Sequence, residues 1–195
     1  MKTLLILSLL IIPLSLVAQK DSLESKLAVS ADFRFRVEQD WNSKKSDGTQ
    51  RDDRTRFRYR LRAGLRYTDK WYEFGFRVRT GNPAKQQDPQ LTLGDGFKEF
   101  GTLPIGLEKA YFQARWSTVG FWVGKNTFPF AKSNELFWSD NVYPEGIAVQ
   151  KSFSFNAPFI DILDFRGGHF IVAASGRSLD QDAYFQGFQI YASFL

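Results

Sequence analysis

From Arg54 to Tyr67 the chain alternates almost without a break. Odd positions read Thr55, Phe57, Tyr59, Leu61, Ala63, Leu65 and Tyr67. Even positions read Arg54, Arg56, Arg58, Arg60, Arg62, Gly64 and Arg66. Successive side chains of a β-strand point to opposite faces. One face of this strand is therefore apolar and the other carries a row of arginines.

The same period recurs on either side. Leu27, Val29, Ala31, Phe33, Phe35 and Val37 alternate with Ala28, Ser30, Asp32, Arg34 and Arg36, and Glu38 follows. After Thr68-Asp69-Lys70, Tyr72, Phe74, Phe76 and Val78 oppose Glu73, Arg77 and Arg79. Two such runs joined by three residues predict an antiparallel hairpin. Leu107–Trp116 sets Ala110, Phe112, Ala114 and Trp116 against Lys109, Tyr111, Gln113 and Arg115. Ser117-Thr118 turns it into a strand that begins Val119, Phe121, Val123. Ile147–Phe153, Asp161–Arg166, His169–Ser175 and Tyr184–Phe194 read as further, less regular strands. The expectation is an all-β chain of about eight strands. Long polar or proline-bearing connections lie at 42–53, 81–106 and 126–146.

Composition removes several chemistries. The 195 residues contain no cysteine, so disulfide scaffolds, cysteine zinc sites, iron–sulfur clusters and thiol nucleophiles are excluded. Aromatics make up 16%, too many for a chain that never packs. The single histidine, His169, leaves a histidine-rich metal centre or a Ser-His-Asp triad without support and reads as structural. Asp161 and Asp164 show no partner pattern for acid–base work and read as solvated carboxylates of a turn. Gly94-Asp95-Gly96 lacks the third glycine of a nucleotide fingerprint, and Pro83 blocks glycosylation at Asn82.

Residues 1–18 read as a secretory signal peptide. Lys2 precedes the apolar run Leu4–Val17, and Ala18 hands over to polar Gln19. That run is 14 residues, short of the roughly 20 a spanning helix needs. Cleavage would leave 25 basic and 21 acidic residues, or +4, in a β-domain over 19–195. Export argues against a nucleic-acid partner.

A soluble antiparallel sheet also alternates, with its apolar face turned into a core. A membrane barrel turns the apolar face to lipid and the polar face to a wet interior. Three features favour the barrel. The first strands run about 10 to 14 residues, enough to cross a bilayer at a tilt, where roughly 9–11 suffice. Short turns alternate with long loops. Trp41, Tyr67, Trp71 and Trp116 sit near strand ends, as interface girdles require.

Neighbouring arginines on one strand face lie about 6.6–6.8 Å apart. Each would cost about 2–4 kcal/mol at the bilayer midplane, so the row must face water or acids. Arg34, Arg36, Arg54, Arg56, Arg58, Arg60, Arg62, Arg66, Arg77, Arg79, Lys109 and Arg115 form the candidate basic wall of a pore. Such a wall attracts anions. The plainer reading is that Asp32, Glu38 and Glu73 neutralise it and the arginines only brace the sheet.

The segment 126–146 is the second candidate. Phe128, Pro129, Phe130, Trp138, Asp140, Pro144, Glu145 and Gly146 make it too apolar to float in water. It reads either as a loop folded into the barrel as a constriction or as an external loop packed on its neighbours. In the first case Asp140 and Glu145 would face the arginine wall.

Phe33-Arg34-Phe35-Arg36-Val37-Glu38, the row 54–67, Thr80-Gly81-Asn82-Pro83 and Leu107-Glu108-Lys109-Ala110-Tyr111-Phe112 occur in this order. Gly124-Lys125-Asn126, Pro129-Phe130, Trp138, Asp140 and Pro144-Glu145-Gly146 follow. In that order the chain resembles the bacterial "putative porin" family, which is similar to phosphate-selective and alginate-export barrels. The resemblance covers about Ala28 to Gln150. It implies an antiparallel transmembrane β-barrel in the bacterial outer membrane. The implied function is a water-filled channel for passive diffusion of small hydrophilic solutes, with no cofactor and no enzymatic activity. It also implies a larger barrel, of which this chain supplies about half the strands as the amino-terminal part. The expected partners are outer-membrane lipid and small hydrophilic or anionic solutes, and a homo-oligomer remains open. Two alternatives stand beside it. One is a closed eight-stranded structural barrel whose interior is filled by side chains. The other is a soluble periplasmic β-barrel that binds a ligand.

Overall fold

A computed structural model describes residues 26–93, 103–132, 134, 136–155, 159, 161–176 and 179–193. The expected signal peptide, Gly94-Asp95-Gly96 and the terminal Phe194-Leu195 lie outside the described residues.

Among the described residues nine strands form one antiparallel sheet. They are β1 (Leu27–Asp40), β2 (Arg54–Thr68), β3 (Tyr72–Thr80), β4 (Leu91–Thr92), β5 (Ile105–Trp116), β6 (Val119–Lys125), β7 (Glu145–Ser154), β8 (Ile162–Ala173) and β9 (Ala183–Ser193). Their order is β1-β2-β3-β5-β6-β7-β8-β9, a meander in which each strand on this path pairs with the next, while β4 lies off it and pairs with β2. A 3-10 turn, Leu179–Gln181, precedes β9. β1 and β9 are the two edges, so the sheet is an open arc, consistent with part of a barrel wall.

The short β4 follows from unequal strand lengths. β3 pairs with β2 only over Arg62–Thr68, leaving the other half of β2 without a partner on that side. Leu91 and Thr92 return from the long connection to pair with Tyr59 and Arg58.

The long strands match the alternation within a few residues, because a strict period of two admits one set of faces. The later segments do not all match. Asp161–Arg166 and His169–Ser175, expected as two strands, are one strand, β8, running straight through Gly167-Gly168. Glycine there makes room rather than a turn. A Cβ on Gly168 would stand 2.4 Å from the Phe170 ring and 3.4 Å from that of Phe130, and one on Gly187 2.9 Å from Phe130. Aromatic rings lie flat on the bare backbone and shield it. Tyr111 covers Gly75, its partner across β3 and β5, in the same way.

The two faces differ as the alternation requires. Phe33, Phe57 and Leu61 are 67%, 47% and 40% exposed, whereas Arg60 on the opposite face is 6% exposed. At the short-turn end Trp71 stacks on Trp116 at 5.6 Å, and Tyr72, Phe74, Phe112 and Phe121 continue the band. Trp41, beyond β1 at the long-loop end, is also exposed. Buried apolar packing sits on the arginine-bearing face instead. Trp122, Phe128, Phe130, Ala148 and Phe170 form the cluster, with Trp138 and Phe185 against it.

Gly124 and Gly146 pair across β6 and β7. Gly124 has a φ of +113°, and a Cβ there would stand 2.3 Å from the Ala110 carbonyl oxygen. Gly124→Ala is expected to lose about 1–3 kcal/mol through backbone strain alone. Gly120→Ala meets nothing closer than 3.6 Å and should stay within about 0.5 kcal/mol of the parent. Urea midpoints of the protein folded in detergent micelles compare the two, and equal midpoints would refute the register.

Candidate functional site

The inner face of β1 and β2 is a ladder of charge. Across the pair, Asp32 stands opposite Arg62, Arg34 opposite Arg60, Arg36 opposite Arg58, Glu38 opposite Arg56, and Asp40 opposite Arg54. Acids close both ends of this ladder and like charges face each other in its middle. Like charges directly opposite destabilise a strand pair, so the flanking acids are what the geometry needs. Arg60 pairs with Asp32 at 2.7 Å and Arg54 with Asp40 at 2.6 Å. Arg56 reaches Glu38 at 2.9 Å and Asp40 at 3.3 Å. Glu38 also receives Arg58 at 3.4 Å and pairs with Arg36. Asp88, from the connection after β3, adds a bond to Arg58 at 3.2 Å. Arg34 makes no hydrogen bond or ion pair among the described residues.

Glu108 adds a further acid to this face. It pairs with Arg62 at 2.9 Å and Arg77 at 2.5 Å, with its side chain fully enclosed. Strict alternation back from Ala110 assigns Glu108 to the apolar face. A register shift between Arg77 and Val78 prevents this: Val78 pairs with Leu107 and Arg77 with Lys109. The extra residue of that β-bulge turns Glu108 to the arginine side, next to Lys109. An acid at a position assigned to lipid was the one sequence signal of the bulge. Asp40, one step beyond Glu38 on the same face, followed from the alternation itself.

Other expected wall residues share this face but are engaged differently. Arg79 is 3% exposed and donates to the carbonyls of Thr80, Asn82 and Lys85 at 2.9, 3.2 and 2.9 Å. It holds the connection after β3 rather than lining open space. Arg66 is exposed at the short-turn end, 4.0 Å from Glu73. Arg115 is exposed beside Gln113. Lys109 donates to Thr127 at 2.6 Å. Asp164, expected to be solvated in a turn, is a buried residue of β8 bonded to Arg166 at 2.8 Å. His169 lies on the outer face, its Nδ1 3.0 Å from the Gln186 amide.

The segment between β6 and β7 crosses the arginine-bearing face. Its near half is pinned by aromatics. Phe128 stacks on Trp138 at 4.0 Å, Phe130 meets Phe128 edge-on at 5.1 Å, and both rings approach Phe170. Arg166 donates to the Pro129 carbonyl at 3.0 Å, and Gln189 exchanges bonds with the Ala131 backbone at 2.7 and 2.9 Å. Its far half reaches β2 and β3. Arg62 donates to Asn141 at 2.8 Å and Arg77 to the Tyr143 hydroxyl at 2.7 Å. Burial raises the Tyr143 phenol above its ordinary value and the Glu108 charge adds to this, so Tyr143 stays neutral. Between the wall and the loop lies a polar cavity of about 580 Å³, lined by Asp32, Arg34, Arg60, Arg62, Ser139, Asp140 and Asn141.

The two loop acids differ from each other. Asp140 lines that cavity but is bonded to Lys132. Glu145 and Gly146 are not loop residues at all: they open β7. Glu145 pairs with its cross-strand neighbour Lys125 and does not face the arginine wall.

An antiparallel arc, apolar outside and charged within, defines the class: the wall of a membrane β-barrel. A family model described as "Putative porin" matches residues 28–189, and the chain belongs to that family. Membership implies an outer-membrane location and a channel rather than an enzyme. No curated protein matches the chain.

Phe130 rests on Gly168 and Gly187 and is 8% exposed, whereas Phe137 is 58% exposed. Phe130→Ala should cost about 3–5 kcal/mol and speed hydrogen exchange at the Ala131 amide. Phe137→Ala should cost far less. Exchange mass spectrometry on the folded protein reads both effects.

Proposed function

We propose that this wall lines a water-filled channel through which small hydrophilic solutes diffuse passively across the outer membrane, anions in preference to cations. The chain reaches that membrane through a cleaved signal peptide, residues 1–18. Its apolar face meets lipid, and the segment crossing the charged face narrows the bore.

The observation that carries the anion preference is the middle of the β1–β2 ladder. Arg34 opposes Arg60 and Arg36 opposes Arg58, with three acids of β1 spread over the whole ladder. Cation outnumbers acid, and Arg34 has no acid bonded to it among the described residues. A unit charge about 7 Å from a passing ion in water is worth about 0.6 kcal/mol, roughly a threefold enrichment of anion. Several such charges in a bore with low-dielectric walls act together.

A soluble barrel would have to bury the other face. Val29, Phe33 and Phe57 are instead 75%, 67% and 47% exposed, which supports the lipid-facing reading.

The test is the reversal potential of the full-length protein in planar bilayers under a salt gradient. Wild type should prefer anions. The Arg34→Gln/Arg36→Gln double variant should lower the anion-to-cation permeability ratio several-fold at low salt. The difference should shrink as salt rises and the Debye length falls to about 3 Å at 1 M. A folded sample that stays silent would sink the channel, and an unchanged ratio in the double variant would sink the anion preference.

A further inference from the structure

Among the described residues Glu108 is the most deeply buried acid, at 1% exposure. Its carboxylate stands between the guanidinium groups of Arg62 and Arg77. Neither arginine ends there. Arg62 carries Asn141 and Arg77 carries Tyr143, both from the far half of the crossing loop. The Tyr143 ring also takes the Arg77 guanidinium at 5.3 Å and the Lys109 ammonium at 5.1 Å. The Tyr143 amide donates to Gln86 at 2.8 Å, so the second long connection is tied in as well.

We propose that Glu108 is a positioning residue: it latches the far half of the crossing loop to the barrel wall and thereby sets the open cross-section of the channel. The second clause rests on the channel reading above; the first stands on the contacts alone. Each carboxylate oxygen forms an ion pair with one arginine, Oε1 with Arg62 and Oε2 with Arg77. It holds both guanidinium groups in the orientation that receives Asn141 and Tyr143. Without it Arg62, Arg77 and Lys109 crowd together as three cations, and their repulsion drives the long side chains toward water. The near half of the loop stays pinned by Phe128 and Phe130, so the far half moves about that pin.

Glu38 supplies the contrast. It also bridges arginines of the wall, Arg36, Arg56 and Arg58, but none of these bonds to the loop. A bracing role alone would make Glu38 and Glu108 equivalent. A latch makes them different.

The experiment uses the full-length protein, first in detergent micelles and then in planar bilayers. Hydrogen exchange is followed at the Tyr143 and Ala131 amides. Glu108→Gln should speed exchange at Tyr143 roughly tenfold or more, the signature of local opening, and leave Ala131 unchanged. Glu38→Gln should leave both amides unchanged. In bilayers Glu108→Gln should show larger open-channel current with more fluctuation. The loop-side variant Asn141→Ala/Tyr143→Phe leaves the bulge intact and should give the same exchange and current changes. Combining it with Glu108→Gln should add little. It also serves if Glu108→Gln fails to fold. Unchanged Tyr143 exchange in the folded variants overturns the latch. Faster exchange with unaltered current in a conducting protein overturns its control of the cross-section. A silent wild type leaves the exchange result standing and removes the channel instead.

Discussion

Hydrocarbon does not accept guanidinium. A strand that carries an arginine at every second position can meet a bilayer in one orientation only, with those arginines away from lipid. That constraint sets the face of β2, and through hydrogen-bonded register it sets the faces of β1 and β3. A shift of one residue would send Arg56, Arg58 and Arg60 into the apolar layer, so the register is strongly specified. The rest of the sheet is a continuation of that choice.

Charge gathered on one face then creates a second problem. Arginines opposite arginines repel, and the fold answers with acids placed between and around them. Asp32, Glu38 and Asp40 come from the same strand pair and need only alternation. Asp88 and Glu108 come from elsewhere and need tertiary structure. Arg34 makes no hydrogen bond or ion pair among the described residues, and the loop rests across the neighbouring part of the wall. Aromatic rings also pack on this charged face. They fit there because Gly168 and Gly187 leave the backbone bare, so that Phe130 replaces the missing side chains.

Much of the candidate site was legible because period two is unambiguous over long strands. Arg34, Arg36, Arg54, Arg56, Arg58, Arg60 and Arg62 lie where the pattern places them. Legibility fails where a residue's role depends on more than its face. Arg79 shares the face but is consumed by carbonyls of the connection after β3, a partner no spacing reveals. Asp164 sits beside two glycines that resemble a turn, and only the rings packed on that backbone show that the strand continues. Glu145 looks like a loop acid until its pairing with Lys125 shows it to be the first residue of β7.

What the sequence determined by itself is the two-faced sheet: the alternation of arginine with aromatic and aliphatic residues leaves a single arrangement that keeps charge out of lipid. What only the tertiary structure decided is how that charge is compensated and covered. The bulge at Glu108 breaks the period by one residue, and the segment from Asn126 to Pro144 crosses to strands far away in the chain. Both depend on contacts between residues remote in sequence, such as Arg62 with Asn141 and Arg166 with Pro129. Periodicity reports which face a side chain occupies, and carries no information about which distant group it meets there.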